Sequence, residues 1–310
     1  GVVVTDMSGA GANGSDESGL SWRMRAESDT GEATAKTWVD EVRLYKTALS
    51  GADEKALYDE VSEEHGDRDR LDMTDGLALQ ADFEEVAEGT VPDLTGNGNN
   101  GAVTGDVAFA ENSGVAGRGT AAYIWNKDNR TTTQYIDFGR DESIRLGTGD
   151  FSVSLWVKFE DGVFHNDSSI FSQRDYNSGS SVGFTLGNQS SGSARIVANI
   201  GNGSQRRERQ GMEAVDGEWH HLAVSVKRSG DIVTYVDGKQ TTAQWHSASG
   251  AMSNFTASLD AGFPWVLGAD GKHDYASTNL YADNLRLYTK AVDKDVVEMI
   301  YAVEGGEIEI

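Results

Sequence analysis

Residues 149–159 read Gly-Asp-Phe-Ser-Val-Ser-Leu-Trp-Val-Lys-Phe, and this stretch carries the pattern of a β-strand. Val153, Leu155 and Val157 occupy every second position, so their side chains point to one face of the strand. Trp156 then points to the opposite face, which can also be covered in a fold of two packed sheets. We therefore expect Trp156 to belong to a core and not to a ligand platform.

Similar short apolar runs recur along the rest of the chain, separated by Gly, Asn and Ser. Residues 232–236 end in Asp237-Gly238, a pair that supplies the positive φ angles of a tight hairpin. The other predicted strands span residues 77–83, 102–109, 120–124, 135–138, 168–172, 181–186, 194–200, 219–227, 265–268 and 280–288. Asp293 is the predicted N-cap of a short helix that follows. The sequence therefore predicts an all-β fold of two antiparallel sheets with a short C-terminal helix.

Composition agrees with this fold class and limits the partners. The chain has 310 residues with 37 glycines and two prolines, which favours many turns between many strands. Its net charge of −24 repels phosphate backbones and anionic bilayers, so we expect neither nucleic acid nor membrane insertion. Because there is no cysteine, disulfides, thiolate metal sites and cysteine nucleophiles are excluded.

An ungapped internal repeat suggests the domain organisation. Residues 20–61 align with residues 263–304 at a constant offset of 243, with nine identities that include Trp22 with Trp265 and Asp40 with Asp283. The second copy has some 200 residues upstream of it, whereas the first copy does not. We therefore predict that residues 1–65 are the C-terminal remnant of a preceding repeat, residues 66–75 an acidic linker, and residues 76–310 one complete domain.

Five local motifs together resemble a known family. They are the loop at 93–101 (Asp-Leu-Thr-Gly-Asn-Gly-Asn-Asn-Gly), the strand at 149–157, Gly-Glu-Trp-His-His-Leu-Ala-Val at 217–224, Tyr-Val-Asp-Gly at 235–238, and Asp-Asn-Leu-Arg-Leu-Tyr at 283–288. In this order they resemble the bacterial laminin-G-like branch of the concanavalin A-like lectin/glucanase domains. The resemblance implies a jelly-roll sandwich in a multidomain protein that is secreted to the extracellular space or cell surface.

The loop at 93–101 has two interpretations. Its glycines and its Asp and Asn side chains bring many oxygen atoms together, which is the ligand chemistry of calcium. The alternative is an Asx-rich turn that bonds only to itself. The family resemblance implies a structural calcium, and the candidate ligands that it carries over to this sequence are Asp82, Asp93, Asn97 and Asp283.

Catalysis is not expected in this chain, although the fold family also includes glycoside hydrolases. Retaining hydrolases on this scaffold place two carboxylates about 5 Å apart, typically through Glu-x-Asp-x-x-Glu on one strand. No predicted strand carries that motif, and Glu84 and Glu85 are adjacent and point to opposite faces. For the parent protein, a glycoside hydrolase activity stays open.

The favoured function is a non-catalytic carbohydrate-binding or adhesion module whose partner is a glycan or a cell-surface polysaccharide. Trp125, Tyr176 and Trp245 are the candidate rings for stacking on sugars, because they lie in polar sequence outside the strand motifs. For each ring, a side chain tucked onto the edge of the sandwich is the alternative. A spacer that contacts only neighbouring domains of the same polypeptide is the alternative function, and a glycoside hydrolase comes third. The basic run at 206–209 is expected in an exposed loop or strand edge.

Overall fold

Two antiparallel β-sheets form the domain in the computed structural model, which describes residues 72–128, 130–160, 167–176, 180–188, 195–242, 244–245 and 252–305. The chain divides into two units, residues 1–70 with 310 and residues 71–309, and all of the described residues belong to the second. The predicted repeat remnant at 1–65 lies outside the described residues.

The described strands are β1 (Leu77–Ala81), β2 (Thr90–Val91), β3 (Gly101–Thr104), β4 (Ala108–Glu111), β5 (Thr120–Trp125), β6 (Tyr135–Asp137), β7 (Phe151–Phe159), β8 (Ser168–Ser172), β9 (Gly183–Asn188), β10 (Arg195–Gly201), β11 (Arg206–Glu213), β12 (His220–Val226), β13 (Ile232–Val236), β14 (Lys239–Gln240), β15 (Gln244–Trp245), β16 (Val266–Leu267) and β17 (Asn279–Tyr288). Among the described residues one α-helix, α1 (Lys294–Glu304), follows Asp293 as predicted. Sheet A has the order β14-β13-β12-β7-β17-β5-β4, with β1 also paired to β17, and sheet B has the order β15-β11-β10-β9-β8-β16-β6-β3-β2.

Alternating apolar residues of both sheets fill the space between them. Val153 and Leu155 of β7 in sheet A share one core cluster with Phe184 of β9 and Ile200 of β10 in sheet B. This arrangement confirms the predicted all-β sandwich with a short C-terminal helix, because each sheet buries one face against the other.

The outer face of sheet A is covered in part by α1. Trp156 is 4% exposed, and its ring stacks on Tyr301 of the helix at a centroid distance of 5.4 Å. Its Nε1 donates to Oε2 of Glu304 at 2.7 Å, and Glu304 also pairs with Arg286 of β17. Trp156 therefore belongs to a second core layer, as expected. In the described part of the chain, no helix is both long and apolar enough to span a bilayer.

Two strand predictions differ from the structure. The run predicted at 102–109 is two strands, because the chain turns at Gly105 with φ 73°, and β3 joins sheet B while β4 joins sheet A. The basic run at 206–209 lies inside β11, a strand that was not predicted, and not in a loop; since β15 pairs only with Arg209 and Gln210, residues 206–208 lie along the edge of sheet B. Arg207 is buried there, and its guanidinium carbon lies 4.8 Å from the ring centroid of Phe255, a distance at which a cation and an aromatic ring attract.

Candidate functional site

A cleft of about 220 Å³ lies where three loops meet at one end of the sandwich. It is lined by Arg130 from the loop after β5, Asp175 from the loop after β8, and Lys272, Asp274 and Tyr275 from the loop between β16 and β17. We call these five residues the loop-end cleft. Loops on a rigid scaffold are the usual place for binding residues, because they vary without disturbing the core.

The cleft combines paired charges with an aromatic ring. Nη2 of Arg130 lies 3.5 Å from Oδ2 of Asp167, and its guanidinium carbon lies 4.4 Å from the ring centroid of Tyr275. Nζ of Lys272 lies 3.4 Å from Oδ2 of Asp175. The Arg130 and Lys272 side chains are 60% and 52% exposed, so both keep donors in contact with solvent. A polyhydroxylated ligand needs this mixture of donors, acceptors and an apolar face.

Asp270 lies beneath the cleft and joins two of its loops. The Oδ2 atom of Asp270 accepts a hydrogen bond from the backbone N–H of Tyr176 at 2.7 Å. The Oδ1 atom accepts from the N–H groups of Lys272 at 3.0 Å and Asp274 at 2.8 Å. Burial raises the pKa of Asp270 to about 6, against the lowering effect of these donors. The carboxylate therefore sets the position of the neighbouring loop backbones.

Three of the nine described non-glycine residues with a positive φ lie around the same cleft. Asp167, His273 and Tyr275 have φ angles of 53°, 64° and 50°, in the left-handed region that non-glycine residues seldom occupy. Such conformations cost free energy and persist where surrounding contacts hold them, which is common at binding sites.

The three predicted platform rings have different surroundings. Trp125 is 49% exposed, but it is the last residue of β5 and not a loop residue, and it pairs with Asn279. Tyr176 is 4% exposed and packs edge-on against Tyr275, with ring centroids 5.3 Å apart. It therefore matches the alternative given above, an aromatic side chain packed onto the edge of the sandwich. Its hydroxyl finds no hydrogen-bond partner among the described residues. Trp245 pairs with Arg209 in the short strand β15, and its side chain lies outside the described part.

Asp93 organises the loop that was predicted to bind calcium. Its Oδ1 accepts from the N–H groups of Gln80 at 3.2 Å and Thr95 at 3.1 Å, and its Oδ2 accepts from the N–H of Asn99 at 3.0 Å. Nδ2 of Asn97 donates to the carbonyl oxygen of Ala78 at 3.1 Å. These bonds close the loop onto β1.

The other two candidate calcium ligands form a separate group. Oδ2 of Asp283 accepts from the N–H of Val115 at 3.1 Å. The pKa of Asp283 is raised to about 7, mainly by burial and in part by the negative charges of Glu84 and Asp82. The negative charges of Asp82 and Glu84 therefore act on Asp283, but this effect alone does not make a metal site. Within the described ranges, no three His, Asp or Glu side chains converge as a metal site, and calcium stays a prediction.

A row of polar side chains crosses sheet B on the face away from the core. Ser172, Thr185, Asn199 and Glu208 are directly paired across β8, β9, β10 and β11, and all four are fully buried. Nδ2 of Asn199 donates to Oε2 of Glu208 at 2.9 Å. This row contains one carboxylate, whereas retaining glycoside hydrolysis needs two that face each other.

The fold and its motifs agree with comparisons to known proteins. A family model described as the concanavalin A-like lectin/glucanases superfamily matches residues 130–298, more than half of the chain. The chain therefore belongs to this superfamily, as the five motifs indicated. No curated protein matches it.

Several solved binding domains of clostridial toxins have a similar fold. The binding domain of Paraclostridial mosquitocidal protein 1 has a TM-score of 0.56 and 17% identity, over 74% of this chain and 52% of that one. The binding domain of botulinum neurotoxin DC, in complex with rat synaptotagmin II, has a TM-score of 0.53 and 13% identity over 74% and 52%. The ligand-binding domain of botulinum neurotoxin serotype D, in complex with N-acetylneuraminic acid, has a TM-score of 0.51 and 15% identity over 74% and 51%. The chain thus spans about half of the length of each, and the likeness shows a shared jelly-roll fold.

Proposed function

We propose that this chain is a non-catalytic carbohydrate-binding module of a larger, extracellular bacterial protein, and that the loop-end cleft together with Trp125 binds the glycan. The observation that carries the proposal is the make-up of the cleft, where exposed Arg130 and Lys272 donors adjoin Asp175, Asp274 and the ring of Tyr275. Sugar hydroxyls both donate and accept hydrogen bonds, so a cleft with both signs of charge fits them.

Trp125 extends the proposed site. Asn279, which pairs with Trp125, and Tyr275 in the cleft are four residues apart in sequence, a separation of at most about 14 Å. A glycan of a few sugar units spans that distance and reaches both an exposed indole ring and the charged cleft. Stacking on aromatic rings is typical of sugar recognition, since the ring face covers the apolar C–H face of a sugar.

The superfamily and its neighbours in fold support the same proposed function. The superfamily is lectin-like, and its neighbours in fold are binding domains, one of them in complex with N-acetylneuraminic acid. A single stacked ring supports only weak binding, so we expect dissociation constants between millimolar and high micromolar, about 4 to 6 kcal/mol of binding free energy.

A glycan array with the purified chain tests the proposal, followed by calorimetry on the strongest glycan. We expect Trp125→Ala and Tyr275→Asn to lose measurable affinity while they keep the far-UV and thermal unfolding profile of the parent. Asparagine is chosen at position 275 because it tolerates the positive φ. Leu94→Ala is the matched control, because Leu94 is the other exposed large apolar side chain of the described part and lies in the Asp93 loop.

Three other outcomes would contradict the proposal. Silence across a broad array would favour the spacer function. Release of reducing sugar from any polysaccharide would favour a hydrolase. Equal loss of binding in Leu94→Ala would place the site elsewhere.

A further inference from the structure

Asp270 connects segments that are far apart in the sequence. Tyr176 N, which donates to Oδ2 of Asp270, lies 94 residues away, whereas Lys272 N and Asp274 N donate to Oδ1 from the residues that follow. The side chain of Asp270 is fully buried, so water does not replace these donors. The two segments that it joins carry four of the five residues of the loop-end cleft.

We infer that Asp270 is the positioning residue of the loop-end cleft, and that the cleft loses its binding shape when this carboxylate takes up a proton. Protonation of Asp270 thereby regulates the site proposed above, and the ligand-binding test of this inference rests on that proposed function.

The ionised form is the one that the geometry requires. Both carboxylate oxygens act only as acceptors, and a protonated carboxyl turns one of them into an O–H donor that faces a backbone N–H. Hydrogen bonds to a charged acceptor are also stronger than those to a neutral one. One of the two loops therefore loses its anchor on protonation. Because Tyr275 and His273 are held at positive φ in the attached loop, that loop relaxes once the anchor weakens.

Several titratable and charged groups surround Asp270. Arg174 and Asp175 face it from the loop after β8, and Lys272, His273 and Asp274 face it from its own loop. The pKa of Asp270 is raised to about 6; burial is the largest cause, and the negative charge of Asp175 acts in the same direction. His273 lies in the attached loop and bonds through Nε2 to Asp137 at 2.9 Å, so it requires its own control.

Hydrogen–deuterium exchange of the full chain tests the positioning role without any ligand. After correction for intrinsic exchange, we expect the amides in 173–176 and 270–275 to exchange about tenfold faster at pH 5 than at pH 7.5. Asp270→Asn should show the fast exchange at both pH values, and His273→Gln should keep the parent's pH dependence. The strands of sheet A serve as the internal reference. Equal protection at both pH values in the parent would overturn the inference, and that comparison does not depend on whether Asp270→Asn folds.

A second experiment uses N-acetylneuraminic acid as the binding probe and measures its affinity by NMR titration at pH 5 and at pH 7.5. We expect the parent to bind at pH 7.5 and to lose about tenfold in affinity at pH 5, with Asp270→Asn weak throughout. Loops that loosen at pH 5 without any binding of the probe at either pH support the positioning role and count against the proposed binding of this sugar. Binding that is unchanged at pH 5 overturns the inference and leaves the carbohydrate function in place.

Discussion

Asp93 and Asp270 are both buried aspartates whose two oxygens accept backbone N–H groups, yet they organise different kinds of loop. Most of the donors to Asp93 come from its own loop, and the remaining one, Gln80, is 13 residues away on β1. Asp270 also holds a segment 94 residues distant. The first aspartate closes a loop onto the sandwich, whereas the second assembles a cleft from separate parts of the chain. We therefore expect substitution of Asp93 to affect mainly stability and substitution of Asp270 to affect mainly binding.

Substitution of Asp93 should have the largest effect on stability. Asp93→Ala removes the acceptor for four hydrogen bonds and leaves buried N–H groups unpaired, so we expect the free energy of unfolding to fall by about 3 kcal/mol. Affinity for glycan should be unchanged in the fraction that is folded. Urea unfolding and calorimetry at low temperature measure the two quantities, and a loss of affinity with unchanged stability would reverse the roles assigned here.

Calcium removal tests the Asp93 loop separately from the loop-end cleft. If an ion joins the predicted ligands there, excess EDTA should lower the melting temperature, which corresponds to about 2–3 kcal/mol at a hundredfold excess of calcium over its dissociation constant. The exchange rates of the cleft loops 173–176 and 270–275 should not change. A melting curve that is identical with EDTA and with added calcium would show that the 93–101 loop is a self-bonded turn.

The same contrast explains what could be predicted from the sequence. The 149–159 strand was recognisable because its apolar residues alternate along the chain. The Asp93 loop was recognisable because the residues that bond to each other lie close together in the sequence. The cleft was missed, apart from Tyr176 beneath it, because Arg130, Asp175 and Lys272 meet only after three loops are brought together. The polar turn run at 270–275, directly after a strand, was the one available signal.

Strand β11 was missed for a different reason. Its Arg-Arg-Glu-Arg start lacks alternating apolar residues, and it is stabilised by contacts that only the fold creates. Arg209, for example, donates to Asp231 at 2.5 Å and to the carbonyl oxygen of Ile232 at 3.0 Å. A charged sequence can therefore occupy a buried strand when its partners come from other elements.

A pH effect of smaller size should appear in stability, away from the cleft. His220 lies between Asp237 at 2.9 Å and Asp216 at 3.1 Å, and the hydrogen bond to Asp237 raises its pKa to about 8 despite burial. Because the folded pKa exceeds the unfolded value of about 6.5, the stabilisation is complete below pH 6.5 and is lost as the pH rises through 8. A shift of this size corresponds to about 2 kcal/mol, and solvent screening of a partly exposed pair reduces it to about 1 kcal/mol.

Urea unfolding from pH 6 to pH 9 checks this expectation, with His220→Gln as the comparison. The variant should lose the dependence between about pH 7.5 and pH 9 and keep a dependence between pH 6 and pH 7, where the raised pKa of Asp283 lies. If the parent is equally stable at pH 6 and pH 9, the His220 pairs do not contribute.

The most direct test of the central claim, that the loop-end cleft binds carbohydrate without cleaving it, is a backbone amide shift map of the chain titrated with the strongest glycan from the array. We expect the shifts to cluster at Trp125, Arg130, Asp175 and residues 272–275, and the glycan to be recovered intact. Shifts centred on Glu208 and the polar row of sheet B, or new reducing ends in the sample, would contradict it.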